Sequence, residues 1–419
     1  MLELFPDSAR IESGQLVLGG TPASELVERF GTPLYVYCEE TIRARAREIS
    51  AALPEAAIFY GSKAFPNVAV MRVLAEEEVG ADVASLGELA LARAAGLEGE
   101  RLVVHGNAKS DEELSAAAEA GATVVLDAED EVERAAAAGV RRVLVRVTSG
   151  VEADTHEAIR TGHHGSKFGL PPDAALAALA SALEAGLEVE GVHVHVGSQL
   201  WDTLSHAETI ELLASFAGRC RDELGWTPVF VNAGGGFPVR HVLEEPRVEL
   251  GSLARTVADA VEAAWGRVGI EAPQIALEPG RALVGQAGVA LYHVRSVKRL
   301  VGASWVALDG GMSDNPRPQL YEARYTALSA MRADEAATET VSLAGLHCES
   351  GDVLVDDVAL PAPRRGDLLA IPAAGAYTLA MSSNYNATPR PAAVLVRDGE
   401  VELIRRRETI DDLLALEAE

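Results

Sequence analysis

RLVVHGNAKSDEELSAAAEAGATVVLDAEDEVERAAAAGVRRVLVRV, residues 101–147, alternates three β-branched runs with two alanine- and glutamate-rich stretches of helical spacing. Each short apolar run predicts a strand buried on both faces, and each stretch between predicts a crossover helix. The same unit recurs on both sides. AIFYG (57–61) and GADVAS (80–85) come before it, and EGVHVHV (190–196), PVFVNAG (228–234) and QIALEPG (274–280) come after. Eight strands alternating with helices over residues 36–282 predict a (β/α)8 TIM barrel, whose usual size is roughly 250 residues. A doubly wound dinucleotide-binding sheet fits less well, because no GxGxxG follows the first strand.

From residue 283 to 419 the pattern changes. ALYHVRSVKRL, SWVALDG, DVLVDDVAL, DLLAIPA and AAVLVRDGEVELIRR alternate apolar and polar residues between glycine and proline turns. This predicts a C-terminal antiparallel β domain. Residues 1–35, with IESGQLVLGG, predict a strand segment that joins that same domain.

Composition narrows the function classes. The chain has 419 residues, 36 basic against 63 acidic, for a net charge of −27. The acidic excess argues against nucleic acid and against anionic membrane surfaces. Cys38, Cys220 and Cys348 are far apart and form no CxxC pair, so neither a disulfide framework nor a metal site is expected. The N-terminal MLELFPDSARIESG has no apolar signal core, and the longest uncharged stretch, 368–389, is broken by Pro372, Gly375 and Asn384. A cytoplasmic protein is expected.

Barrels gather their chemistry at the C-terminal strand ends. There this sequence places Lys63, then His105, Asn107 and Lys109, then His195 and Ser198, then Gly234, Gly235 and Gly236, and finally Glu278 and Arg281. Lysine is scarce, occurring only at 63, 109, 167 and 298. Amines form imines and guanidinium does not, so a retained lysine at a strand end suggests imine chemistry. Lys109 and Lys167 are rivals to Lys63, and a solvated rim lysine is the bland alternative. The glycine triplet lets backbone N–H groups approach an anion, although most such triplets are only tight turns. An imine-forming lysine opposite a phosphate cradle suggests pyridoxal 5'-phosphate (PLP). Glu278 then stands where the pyridine nitrogen needs a carboxylate. His195 is placed to stack on the ring, unless it is a satisfied core histidine.

FYGSKAFPN (59–67), GADVASLGEL (80–89), VHGNAKS (104–110), HVHVGSQ (193–199), AGGGF (233–237), EPGR (278–281), LDGGMSDNPRPQLYEA (308–323), HCESGD (347–352), GAY (375–377) and MSSNYNATPRPA (381–392) occur in that order. Together they resemble the fold type III PLP-dependent decarboxylases, alanine racemase-like in architecture, and within them the branch acting on diaminopimelate. The resemblance implies decarboxylation of meso-2,6-diaminopimelate to L-lysine and carbon dioxide, the last step of lysine biosynthesis. It implies that Lys63 carries the cofactor, and that Ser198, Gly234, Gly235, Gly236, Pro279, Gly280, Arg281 and Tyr377 hold its phosphate. His195 would stack on the ring and Glu278 would pair with its nitrogen. Arg281, Arg317 and Tyr321 would take the substrate's distal carboxylate, Glu349 its distal ammonium, with Tyr377 also at the substrate. Cys348 would transfer a proton at the reacting carbon. Cys348 and Glu349 would reach the site from the partner subunit of a homodimer.

The residues support a two-charge substrate independently, since a second carboxylate suits a bidentate arginine. Rival readings are a decarboxylase of ornithine, lysine or arginine, a racemase of the same architecture, and a non-catalytic PLP carrier. The segment departs from the resemblance at Asn232 and Ala233, where an Asp usually precedes the glycines. VRHVLEEPRVELG, which follows, is also unlike the family pattern.

Overall fold

The computed structural model describes residues 1–148, 166–201 and 203–418, which divide into two compact units. One comprises Arg45–Pro238 and Val248–Ala282; the other comprises Met1–Ala44, Val239–Arg247 and Leu283–Glu419.

The first unit is a closed barrel of eight parallel strands. In chain order they are Ala57–Gly61, Gly80–Val83, Leu102–Val104, Thr123–Leu126, Arg142–Arg146, Glu188–His193, Phe230–Asn232 and Gln274–Leu277. Closure is direct, with Ala276 opposite Ala57 and Leu277 opposite Ile58. All eight expected strands are present. Their short β-branched runs are legible because helices cover the outside while side chains fill the inside, leaving no polar face. Phe59, Val103, Val125, Leu144 and Ala276 form one buried cluster. Helices begin at strong caps: Asn67 accepts from Ala69 and Val70, and Ser110 forms a capping box with Glu113.

The second unit is built on a nine-stranded, mostly antiparallel sheet. Its spine is the long strand Gly288–Leu300, which pairs with Leu34–Cys38, Ala303–Leu308 and Leu368–Ile371. Two pairs are parallel: Ala303–Leu308 with Glu339–Ala344, and Leu34–Cys38 with Ala392–Arg397. Residues 10–22 form their own three-stranded antiparallel sheet. Leu16 and Leu18 share a core with Leu34, Val36, Val289, Leu291 and Val394. The N-terminal strand that enters the main sheet is therefore Leu34–Cys38.

That strand also positions two loops. Tyr35 and Tyr37 alternate with the core-facing Leu34 and Val36 and are fully buried. The Tyr35 hydroxyl donates to Asp314 Oδ1 at 3.0 Å, and the Tyr37 hydroxyl donates to the Gly375 carbonyl at 3.0 Å. Gly375 is obligatory, since a Cβ there would lie 1.9 Å from the Val284 carbonyl oxygen. Asp352 ties the loop bearing Cys348 to the 308–323 segment, accepting from Met312 N at 2.7 Å and His347 N at 2.9 Å.

Candidate active site

Lys63 lies in the single 3-10 turn Ser62–Ala64, directly after the first barrel strand, and it is exposed while Ser62 and Ala64 are buried. The rival lysines are placed differently. Lys109 is buried, with Nζ donating to the carbonyls of Gly106 (2.6 Å) and Val125 (2.8 Å) and standing 3.0 Å from Glu131. Burial lowers its pKa, and the Glu131 charge opposes that. Lys167 rests on the ring of Phe168 at 4.9 Å. Of these three amines, Lys63 is the one presented directly at the end of a barrel strand and exposed there.

Glu278, at the end of the eighth strand, is the centre of a buried polar cluster. Its Oε1 accepts from His105 Nε2 at 2.7 Å and from Asn232 Nδ2 at 2.6 Å. Its Oε2 accepts from His193 Nε2 at 3.1 Å. Burial favours the neutral acid, but the two histidines outweigh it and hold the Glu278 carboxyl well below the usual range. Burial also drives His193 down to about 3, against the pull of Glu278. The result is an ionised carboxylate fixed by three side-chain donors from three different strand ends.

His195 is two residues beyond His193. Its Nδ1 accepts from the Gly235 amide at 3.2 Å, which assigns the ring proton to Nε2. Burial, followed by the charges of Lys63 and Arg146, holds this imidazole well below its ordinary value, so it is neutral near pH 7. A neutral ring beside the Lys63 amine is suited to face another aromatic ring.

The glycine triplet is a close-approach device. A Cβ on Gly234 would meet the Val194 carbonyl oxygen at 2.5 Å, on Gly235 the Glu278 carbonyl oxygen at 2.3 Å, and on Gly236 the Gly197 carbonyl oxygen at 2.8 Å. Gly234 and Gly236 also adopt φ of 72° and 98°, which glycine enters without penalty. Two of the three amides are committed internally, Gly234 N to Asn232 Oδ1 at 2.9 Å and Gly235 N to His195 Nδ1 at 3.2 Å. Nearby, Arg281 Nη2 donates to Ser198 Oγ at 3.0 Å, bringing two predicted anion-binding groups together. Asn232 is no disruption of the site: its amide serves Glu278 and the glycine turn at once.

In the β unit, Arg317 is buried, with only 4% of its surface exposed. It opens the short helix Arg317–Tyr321. Its Nη1 donates to His241 Nε2 at 2.9 Å and to the Tyr325 hydroxyl. Its Nε has no hydrogen-bond partner, and no carboxylate lies within ion-pairing distance among the described residues. Arg317 is therefore not a solvated loop arginine. Tyr321 is half-buried, its hydroxyl 3.9 Å from Met381 Sδ. Tyr377 holds a left-handed φ of 58°. Cys348 and Glu349 are exposed, and Glu349 accepts from the Tyr385 hydroxyl. His105, His193, Asn232 and Arg146 belong to the barrel cluster, and sequence reasoning gave them no role. The HVHV alternation was the available signal, since residues i and i+2 of a strand share a face.

These groups fit PLP. The barrel supplies an exposed amine, an ionised carboxylate, a neutral imidazole and the paired anion-binding side chains of Arg281 and Ser198. Such a constellation on a (β/α)8 barrel suits a PLP-dependent enzyme, and residues 39–285 match the family described as pyridoxal-dependent decarboxylase, pyridoxal binding domain, which makes the class that of the PLP-dependent decarboxylases. The chain is 46% identical to a diaminopimelate decarboxylase of Actinosynnema pretiosum subsp. auranticum, over 99% of this chain and 95% of that protein. It is 42% identical to the diaminopimelate decarboxylase of Bacillus subtilis, over 99% and 98%. The crystal structure of the M. jannaschii diaminopimelate decarboxylase in co-complex with L-lysine superposes with a TM-score of 0.92 at 35% identity, covering 99% of this chain and 98% of that one. The chain belongs to the diaminopimelate decarboxylase family of PLP-dependent enzymes. No helix among the described residues is long and apolar enough to cross a membrane.

Proposed function

We propose that this chain decarboxylates meso-2,6-diaminopimelate to L-lysine through a site with the following division of labour. Lys63 holds the cofactor's aldehyde. Gly234, Gly235, Gly236, Ser198, Pro279, Gly280, Arg281 and Tyr377 hold its phosphate. Bound there, PLP supplies an electron sink for the pair released when the bond to the departing carboxylate breaks. Glu278 keeps a proton on the ring nitrogen, and its ionised state supports that role. His195 would lie against the ring face as a neutral imidazole.

Arg281, Arg317 and Tyr321 take the distal carboxylate, Glu349 takes the distal ammonium, and Tyr377 adds a contact to the substrate. Cys348 delivers the proton that replaces carbon dioxide at Cα. The observation that carries the substrate reading is Arg317, a buried guanidinium with an uncommitted Nε and no carboxylate of its own among the described residues. Buried charges need a counter-charge, and a substrate with two carboxylates supplies one.

Cys348 and Glu349 serve the site of the partner in a homodimer. Their exposure, together with that of Leu346 (40%) and Leu320 (50%), supports an interface there. Two buried thiols and one exposed one, none paired, support a cytoplasmic location. Borohydride reduction of the cofactor-loaded protein and peptide mapping test the first assignment. The added mass is expected on Lys63. A tag on Lys109 or Lys167, or turnover that survives Lys63→Ala, contradicts it.

A further inference from the structure

VRHVLEEP, residues 239–246, is unlike the family pattern, and it lies between barrel strands in sequence yet groups with the β unit. It follows the glycine triplet along the chain. His241 sits in it, only 3% exposed. Its Nε2 accepts from Arg317 Nη1 at 2.9 Å. A guanidinium only donates, so Nε2 must carry a lone pair and the ring proton must be on Nδ1. Glu245 Oε2 lies 3.8 Å from that Nδ1. The same oxygen accepts from the His241 amide at 2.6 Å and the Val242 amide at 3.4 Å. Burial works against ionisation of Glu245, yet its bonds to His241 and Val242 hold it below the usual carboxylate range. A carboxylate therefore faces the proton-bearing side of the ring, and the acceptor side faces Arg317. The Tyr325 ring packs edge-on to His241 at 5.2 Å and takes the other contact of Arg317 Nη1.

We propose that His241 is a positioning residue for substrate selection. Glu245 fixes its tautomer, and its Nε2 holds one end of the Arg317 guanidinium, so that Nε of Arg317 is left to the substrate's distal carboxylate. This rests on the reading of Arg317 given above. Arginine has several rotatable bonds, and a bidentate clamp works only when the planar fork is held still. His241 and Tyr325 supply that restraint without a carboxylate, which would neutralise the guanidinium and compete with the substrate.

Steady-state kinetics on the PLP-loaded enzyme with meso-diaminopimelate test this. His241→Phe keeps the ring volume and removes the acceptor. KM is expected to rise about tenfold or more, the size of one charge-assisted hydrogen bond, with kcat changed less than about threefold. His241→Gln, whose carbonyl oxygen can take the place of Nε2, is expected to recover KM to within about threefold of the parent. Equal KM values for the Phe and Gln variants, or a loss confined to kcat, overturn the proposal. Should the Phe variant fail to load cofactor, Glu245→Gln carries the test: a severalfold rise in KM supports it and an unchanged KM overturns it. Arg317→Met separates the two levels. An unchanged KM there sinks the reading of Arg317 itself, whereas a raised KM with an unaffected His241→Phe sinks only the role of His241.

Discussion

Gly235→Ala is the sharpest perturbation of the barrel site. The new Cβ would stand 2.3 Å from the Glu278 carbonyl oxygen and 3.1 Å from its carbon, where ordinary contact begins at 3.4 Å. The obstacle is backbone, so no side-chain rotation relieves it. Strand end and loop must separate by about 1.1 Å, the difference between 3.4 and 2.3 Å. The bond from Glu278 N to the Gly234 carbonyl, 2.8 Å long, lies at the same junction and is strained with it. Overpacking of this kind costs about 1–3 kcal/mol, and a weakened backbone hydrogen bond adds roughly 1 kcal/mol. A displacement near 1 Å at a catalytic group typically lowers rate by about 10²-fold. We therefore expect kcat to fall on the order of 10²-fold and cofactor affinity, followed by PLP absorbance titration, to weaken about tenfold. Gly266→Ala is the internal control. It lies in the helix Leu250–Val268, with nothing within 4 Å of the point a methyl group would occupy. That change should leave kcat and affinity alone and add up to about 1 kcal/mol of stability. A Gly235→Ala enzyme with parental kcat and affinity would refute the close-approach reasoning.

Other outcomes follow from the same geometry. Glu278→Gln keeps the shape but removes the charge that His105 and His193 stabilise, and should lower kcat on the order of 10²-fold while PLP still binds; stopped-flow or steady-state assays check it. His193 is held at about 3 when folded against an ordinary 6.5, so the unfolded chain binds the extra proton between those values. Stability should therefore decline as pH drops from about 6.5 toward 3, and thermal melts of His193→Gln should show a shallower decline. Lys109→Met removes three polar contacts of a buried amine and strands Glu131, so it should destabilise the fold by about 3 kcal/mol or more in urea melts. Lys63→Ala and Cys348→Ala variants should each be nearly inactive, and, under the proposed homodimer with shared sites, mixing them under conditions of subunit exchange should restore roughly a quarter of parental activity; absence of any recovery contradicts site sharing.

The barrel was legible in sequence because its strands are short, buried on both sides and punctuated by capped helices, so local composition carries the signal. Lysine scarcity in an arginine-rich chain narrowed the amine to a few candidates, but only the structure separates exposed Lys63 from the buried and committed Lys109. The polar cluster was less legible. Glu278 meets His105, His193 and Asn232 across separations of 173, 85 and 46 residues, and no local pattern encodes such pairings. Asn232 looked like a departure from the family motif, yet it bonds to both Glu278 and Gly234. That residues 10–22 form a three-stranded sheet of their own was not legible, because alternation shows that a strand exists but not which strand it pairs with. The grouping of Val239–Arg247 with the β unit was hidden for the same reason: a loop's sequence states its polarity, not its destination.

The proposed substrate reading turns on Arg317, buried and without a carboxylate partner among the described residues, which would select a substrate with a second carboxylate. Carbon dioxide release from the PLP-loaded enzyme should be measured with meso-diaminopimelate, and separately with lysine, ornithine and arginine. We predict release from diaminopimelate alone, with L-lysine as the product. Release only from a substrate with one carboxylate would leave the fold and cofactor standing and contradict the roles given to Arg281, Arg317 and Tyr321.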